Sequence, residues 1–273
     1  MTQQIPLSGD VGIDAASVGE VVEIADDVAY QRLAIVNVIY WGLPNSNWVL
    51  IDAGVVGSAA AIRRAAVARF GEHARPVAIV MTHGHFDHVG ALRTLAEYWE
   101  VPIYSHPLET PFLNGQSSYP PPDPSVGGGL MATLSRFYPR GPVDVSQWLR
   151  PLPADGSIPE MPHWQWVHTP GHTQGHISLW RPSDRFLIAG DAFITTAQES
   201  AYAVWRQEPE MHGPPMYFTP DWQKAEQSVR QLAALQPQHV VTGHGPALHG
   251  PEMRAALEQL ANNFRTVAVP KQD

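Results

Sequence analysis

Between residues 83 and 88 the chain reads HGHFDH, three histidines and one aspartate within six positions. Imidazole nitrogens and carboxylate oxygens are the donors that a divalent cation such as zinc takes when no thiolate is on offer, and the chain has no cysteine. Two histidines one residue apart, followed by Asp87 and His88, cannot all point one way from a regular strand or helix. A loop at a strand end resolves the conflict, because its backbone can aim His83 and His85 at one point and Asp87 and His88 at another a few ångströms away. Such a loop suits two cations, each still short of the usual four zinc ligands. Burying three imidazoles and a carboxylate for packing alone would be costly.

The missing donors must come from distant sequence. His172 in TPGHTQG, Asp191 in IAGDAF and His244 in TGHGP all sit in glycine-containing turns. Counting them in gives His83, His85 and His172 to one cation, Asp87, His88 and His244 to the other, and the Asp191 carboxylate as a bridge. Two divalent ions sharing a water lower its pKa from about 15.7 towards about 7, so hydroxide is the expected nucleophile. Asp87 is placed to pass a proton to the leaving group. The expected reaction is hydrolysis of an ester, thioester, lactone or amide of a small molecule. The expected cofactors are two divalent cations, zinc first, with iron or manganese as alternatives. His73, His106, His163, His168, His239 and His249 are read as surface or core histidines, and His176 and His212 are left open.

The elements that must position these residues read as strands and helices in alternation. AYQRLAIVNVIYWG and NWVLIDAG are expected as two strands joined by the turn GLPNS. SAAAIRRAAVARFG carries helical periodicity from a Ser58 cap to Gly71, and the short apolar run PVAIVMT reads as a buried strand that ends directly before His83. GALRTLAEYWE is expected as a helix and VPIYSH as a strand. The segment SSYPPPDPSVGGG breaks the rhythm and reads as an active-site loop, followed by the expected helix LMATLSRFY. Further on, HWQWVHT, HISLW, RFLIAGD and HVVTG read as strands. AQESAYAVWRQ, the stretch from Pro220 to about Leu235, and GPEMRAALEQLANNF read as helices. The class is α/β, in a single domain over residues 1–273.

Composition narrows the substrate. Seventeen basic residues against twenty-six acidic ones give a formal charge of −9, with only two lysines, Lys224 and Lys271. A polyphosphate backbone would be repelled, so no nucleic-acid partner is expected. No apolar run approaches the roughly 20 residues that span a bilayer, and the N-terminus lacks a basic start followed by an apolar stretch. A cytoplasmic protein with no membrane partner is expected. Aromatic residues crowd the segments after Asp191. Phe193, Tyr202, Trp205, His212, Tyr217 and Phe218 are the candidates for a mostly apolar substrate pocket, with Tyr119 a weaker one. A segment such as PPMYFTPDW could equally meet a second copy, so a homodimer is expected as an alternative use. Asp52, at the end of VLIDAG, is the candidate to hold the far side of a ligating imidazole, against an ordinary turn-capping role. Thr82 and Thr173 can serve in the same way.

The order of these motifs resembles the metallo-β-lactamase superfamily, whose signature is His-x-His-x-Asp-His, a later Gly-His-Thr, a Gly-Asp and a final Gly-His. Here those are His83 to His88, Gly171-His172-Thr173, Gly190-Asp191 and Gly243-His244. The resemblance implies a four-layer αβ/βα sandwich with the metals at one edge, and the position of Asp52 resembles the family's early aspartate. Glyoxalase II proteins carry a helical tail with basic glutathione-binding residues, whereas only a short segment follows His244. Acyl-homoserine lactonases place a tyrosine three residues after the bridging aspartate, where this chain has Ile194. The expected branch is therefore the broad group of single-domain, glyoxalase-like hydrolases. Two alternatives from other classes stand beside it. One is a persulfide dioxygenase with a single iron on His83, His172 and Asp191, although FITTAQES stands where such proteins usually place an arginine-aspartate pair. The other is a non-catalytic protein that keeps metal only for folding.

Overall fold

The computed structural model describes residues 4–7, 11–123, 126, 135–197 and 209–270. The chain forms two compact units, one from Ala16–Tyr119 with Pro139–Pro162, the other from Met1–Ala15, Pro120–Tyr138 and His163–Asp273. Two short N-terminal strands, β1 (Ile5–Pro6) and β2 (Gly12–Asp14), belong to the second of these.

The first unit is a seven-stranded sheet in the order β3 (Val21–Ala25), β4 (Val28–Leu33), β5 (Val36–Trp41), β6 (Val49–Ile51), β7 (Ala78–Val80), β8 (Ile103–Ser105) and β9 (Leu149–Pro151). Pairing is antiparallel from β3 to β6 and parallel from β6 to β9. Parallel neighbours need a long crossover. Helix α1 (Ala59–Phe70) supplies it between β6 and β7, and α2 (Phe86–Val89) with α3 (Leu92–Trp99) supply it between β7 and β8. A further single turn, α4 (Thr110–Leu113), follows β8. The inward stripe of α1 (Ile62, Ala65, Ala66, Phe70) and that of α3 (Leu92, Leu95, Ala96, Trp99) recur every three or four residues. They close on Tyr40, Leu50, Ile79 and Ile103 of the sheet. Trp48 is the hub: it stacks on Phe70 at 4.5 Å between centroids and meets Trp99 edge-on at 5.6 Å.

The second unit is a six-stranded sheet in the order β10 (Gln165–His168), β11 (Ile177–Arg181), β12 (Phe186–Gly190), β14 (His239–Thr242), β15 (Ala247–His249) and β2. The short pair of β1 with β13 (Glu210–Met211) stands beside it. Helix α5 (Trp222–Ala234) starts at Asp221, whose side chain accepts the Lys224 N–H at 3.0 Å, an ordinary N-cap. Helix α6 (Pro251–Val267) buries Met253, Leu257, Leu260 and Phe264, and its cluster takes in Val229 and Leu232 of α5 and Leu187 and Val240 of the sheet.

Strand direction is what positions the chemistry. β12 and β14 are parallel, with Gly190 beside Thr242, and β10 runs the same way because β11 is antiparallel to both of its neighbours. The C-terminal ends of β10, β12 and β14 therefore share one edge of that sheet, and His172, Asp191 and His244 all follow those ends. In the first unit β6 and β7 are likewise parallel, so Asp52 and Thr82 emerge side by side.

Two expectations are corrected. The stretch 29–42 is not one strand but the greater part of the hairpin β4–β5, turning at Ala34 with a φ of 57°. No glycine, proline or asparagine marks that turn. Ser58 precedes α1, but its hydroxyl donates to the Val55 carbonyl at 2.7 Å rather than accepting a helix amide. Of the expected helix over 130–138, only a 3-10 turn at Ser135–Phe137 falls among the described residues, and the expected helix over 197–207 lies almost wholly outside them.

Replacing Trp48 by alanine removes the shared contact of α1, α3 and the β-sheet. Trp48→Ala is expected to cost about 3–5 kcal/mol in urea unfolding of the metal-free protein. A loss under about 1 kcal/mol would show that this cluster is not the centre of the first core.

Candidate metal centre

In the first unit the segment after β7 carries four buried donors. His83 follows Thr82 directly, His85 caps α2 in an extended conformation, and Asp87 and His88 lie within that single turn. The turn closes through the His88 N–H on the His85 carbonyl at 2.9 Å. The rings of His83 and His85 lie 4.7 Å apart at 88°, and those of His83 and His88 4.1 Å apart at 48°. Ligand-capable atoms of His83 and His85, of His83 and His88, and of Asp87 and His88 come within 4.8 Å of each other.

Behind this loop, Asp52 organises two imidazoles at once. It is buried, with a φ of 61°, and its Oδ1 accepts the Thr82 N–H at 2.8 Å. Its Oδ2 accepts the Thr82 hydroxyl at 2.7 Å and His88 Nδ1–H at 2.8 Å. Because Thr82 gives its only hydroxyl proton to Asp52, the 3.0 Å contact between Thr82 Oγ1 and His83 Nδ1 has the imidazole as donor. Both His83 and His88 are thereby held as Nδ1–H tautomers with the lone pair on Nε2. Such outer partners fix ring orientation and raise ligand basicity.

The second unit holds three donors on its shared strand edge. Asp191 Oδ2 lies 3.1 Å from His244 Nε2 and 3.4 Å from His172 Nε2, and all three side chains are buried. Thr219 donates its hydroxyl proton to the Pro215 carbonyl at 2.7 Å, so it accepts from His172 Nδ1 at 3.2 Å. That bond leaves the His172 lone pair on Nε2, the nitrogen facing the carboxylate. Gly171 makes this turn feasible: its φ is +137°, and a Cβ there would overlap the Ala225 backbone at the start of α5. His244 is held through its carbonyl, which accepts the Thr242 hydroxyl at 2.7 Å and the Thr195 N–H at 3.1 Å.

His176, left open by the sequence, holds Asp191 from behind. Its Nε2 accepts the Asp191 backbone N–H at 2.9 Å, so Nδ1 carries the proton and donates to Thr169 Oγ1 at 2.8 Å. Thr169 continues to the Ser178 hydroxyl at 3.1 Å, which donates to the Ala189 carbonyl at 2.8 Å. Thr219 and His176 escaped the sequence reading because their partners lie 47 and 15 residues away. Thr173, the other candidate for an outer partner, accepts the Gly171 N–H through its carbonyl.

The substrate candidates separate. Phe193 is wholly buried in the apolar cluster around α5 and α6, so its ring is committed to packing. The His212 imidazole lies between the Gln4 side-chain amide at 3.0 Å and the Gly213 carbonyl at 2.9 Å, tying down the N-terminal segment. Tyr217 and Phe218 pack on each other at 5.1 Å, beside Tyr138 and immediately before Thr219. Tyr202 and Trp205 lie outside the described residues. His73, His106, His163, His168, His239 and His249 join no group of metal-capable donors among the described residues. His239 instead stacks on Phe186 at 5.5 Å, where burial and then the neighbouring His249 lower its pKa from the ordinary value.

The sequence profile of the metallo-beta-lactamase superfamily matches residues 33–244, and the chain belongs to that superfamily of metallo-hydrolases. It is 45% identical over 247 residues to the probable metallo-hydrolase YflN of Bacillus subtilis (strain 168), covering 90% of this chain and 94% of that one. Among solved structures, a beta-lactamase domain protein from Burkholderia ambifaria matches with a TM-score of 0.61 at 20% identity, over 92% of this chain and 80% of that one. TTHA1623, solved in a di-iron-bound form, matches with a TM-score of 0.52 at 23% identity, over 85% and 93%. The chain has the metallo-β-lactamase fold. Among the described residues no helix is long and apolar enough to cross a membrane.

Asp52→Asn keeps the shape of the side chain but turns an NH₂ towards donors. It is expected to weaken divalent-metal affinity by about 10–100-fold, read by competition with a chromogenic chelator. Unchanged affinity would remove Asp52 from the site.

Proposed function

We propose that the chain is a dinuclear metal-dependent hydrolase of small molecules, whose imidazole and carboxylate donors hold two divalent cations. His83, His85 and His172 would serve one cation and Asp87, His88 and His244 the other, with Asp191 between them. The observation that carries this reading is the pair Asp191 Oδ2 and His172 Nε2, 3.4 Å apart and buried. With the Nδ1 proton engaged by Thr219, His172 turns Nε2 towards a carboxylate oxygen. A buried carboxylate beside imidazole nitrogens is costly to desolvate unless positive charge lies near it. A divalent cation supplies that charge, and a donor set of imidazole and carboxylate suits zinc, iron or manganese.

When bound, such cations polarise a carbonyl oxygen and acidify water from about 15.7 towards about 7. The chain's own residues do the rest. Asp87 moves a proton to the leaving group. Asp52, Thr82, His176 and Thr219 hold the donor rings and the Asp191 backbone in one orientation, so little reorganisation is needed when substrate arrives. Tyr217 and Phe218, next to Thr219, offer an apolar wall for the acyl part of an ester, thioester, lactone or amide. The net charge of −9 favours a small molecule over a nucleic acid. The 45% identity to a probable metallo-hydrolase supports the reaction class, and the di-iron form of TTHA1623 supports keeping iron beside zinc.

A metal-replete screen over lactones, carboxylic esters, thioesters and β-lactams is expected to find turnover that chelation abolishes. Asp87→Ala should lower kcat by about 10²–10⁴-fold with an unchanged near-ultraviolet circular dichroism spectrum. Full activity in Asp87→Ala, or no metal-dependent turnover in the panel, would contradict the assignment. One iron per chain with sulfite production from a persulfide would replace it with the oxidative reading.

A further inference from the structure

Gly84 lies between two candidate ligands, His83 and His85, and its main chain is gripped from behind. The Gly84 N–H donates to Glu109 Oε2 and to the Tyr119 hydroxyl oxygen, each at 3.0 Å. Tyr119 donates its own hydroxyl proton to the same Glu109 oxygen. Burial first, and then the adjacent Glu109, push the Tyr119 phenol well above its ordinary pKa, so it stays a donor. One face of the Tyr119 ring stacks on Phe112 at 3.9 Å and 13°, and the ring meets the His85 imidazole at 4.5 Å and 61°. The backbone of Tyr119 is anchored in turn by its N–H on the Arg140 carbonyl at 3.0 Å.

Packing alone does not explain this arrangement. A buried carboxylate costs more than an apolar side chain of similar volume, and Glu109 is fully buried. The residue at 84 must also be small: a Cβ there would sit 2.8 Å from the Tyr119 hydroxyl oxygen and 3.3 Å from Leu113. Glycine thus admits the phenol onto the backbone of the ligand loop. Asp52 grips the same loop from its other end, through Thr82 and His88, and touches neither Gly84 nor His85 in the bonds above.

We propose that Glu109 and Tyr119 are positioning residues for His85, a brace that fixes its ring and its backbone and so sets the affinity of the cation His85 helps to hold. The inference rests on the dinuclear reading given under Proposed function. Its signature is asymmetry. Loosening the brace should weaken the cation on His83, His85 and His172 and spare the one on Asp87, His88 and His244, whose loop segment is held by Asp52.

The test titrates zinc alone into metal-free protein by calorimetry, and records histidine ring ¹⁵N–¹H spectra of the same samples before metal is added. Wild type is expected to show two classes of site. In Tyr119→Phe one class should weaken by about 10–100-fold and the other should shift by less than about threefold. The metal-free His85 ring signals should broaden in that variant while those of His88 stay unchanged. Glu109→Gln keeps an acceptor for Gly84 and should fall between wild type and Tyr119→Phe. Two unchanged classes with an unchanged His85 signal would overturn the brace. So would equal weakening of both classes together with a matching loss of Tm in the metal-free protein, which would make the pair a packing element. Wild-type protein that takes up no zinc would sink the dinuclear reading itself, and the inference with it, an outcome distinct from a variant that matches a metal-binding wild type.

Discussion

A buried carboxylate oxygen 3.4 Å from an imidazole nitrogen is a contact whose desolvation is costly unless positive charge lies near it. Asp191 and His172 make that contact, and His244 brings a second imidazole nitrogen within 3.1 Å of the same oxygen. Apolar side chains of similar volume would be the cheaper arrangement if packing were the purpose. The Thr219 and His176 hydrogen bonds instead hold the His172 tautomer and the Asp191 backbone in place. The proposed cations are what turn this cost into binding, and the reading of the site follows from that single requirement.

Each unit places its donors by the same means. Parallel strands bring their C-terminal ends to a common sheet edge, and the residues just past those ends are the donors or their holders: His172, Asp191 and His244 in one unit, Asp52 and Thr82 with His83 in the other. Loops at such ends are free of the ladder and can aim side chains, while the strands behind them, apart from the partly exposed β10, are largely buried. Main-chain strain accompanies the function. Asp52 carries a left-handed φ of 61° at the position from which its carboxylate reaches Thr82 and His88, a conformation that costs energy in a residue other than glycine. Each donor loop is also gripped through its backbone, at Gly84 by Glu109 and Tyr119 and at Asp191 by His176. Rigid donors lose less entropy on binding a cation than mobile ones.

Much of this was legible in the sequence. The cluster from His83 to His88 is dense enough that chemistry outweighs chance, and the strands ending before His83, Asp191 and His244 follow from short apolar runs with glycine turns. The hairpin turn at Ala34 was not legible, since Leu33, Ala34 and Ile35 are apolar residues with no turn chemistry and only pairing between β4 and β5 imposes the reversal. Thr219, His176, Glu109 and Tyr119 were hidden or underrated because their roles are hydrogen bonds across 10 to 47 residues, which leave no local pattern. The aromatic segment after Asp191 misled in part. Composition cannot tell Phe193, sealed in the core, from Phe218, which keeps an open face.

The most direct measurement of the central claim is anomalous diffraction from crystals of metal-replete protein, with data on both sides of the zinc and iron absorption edges. Two anomalous peaks are expected, one within coordination distance of His83, His85 and His172, the other of Asp87, His88 and His244, with Asp191 Oδ2 reaching both. A fully loaded protein whose metal lies away from Asp191, with the His172 and Asp191 contact intact beside it, would contradict the claim that a cation balances that contact.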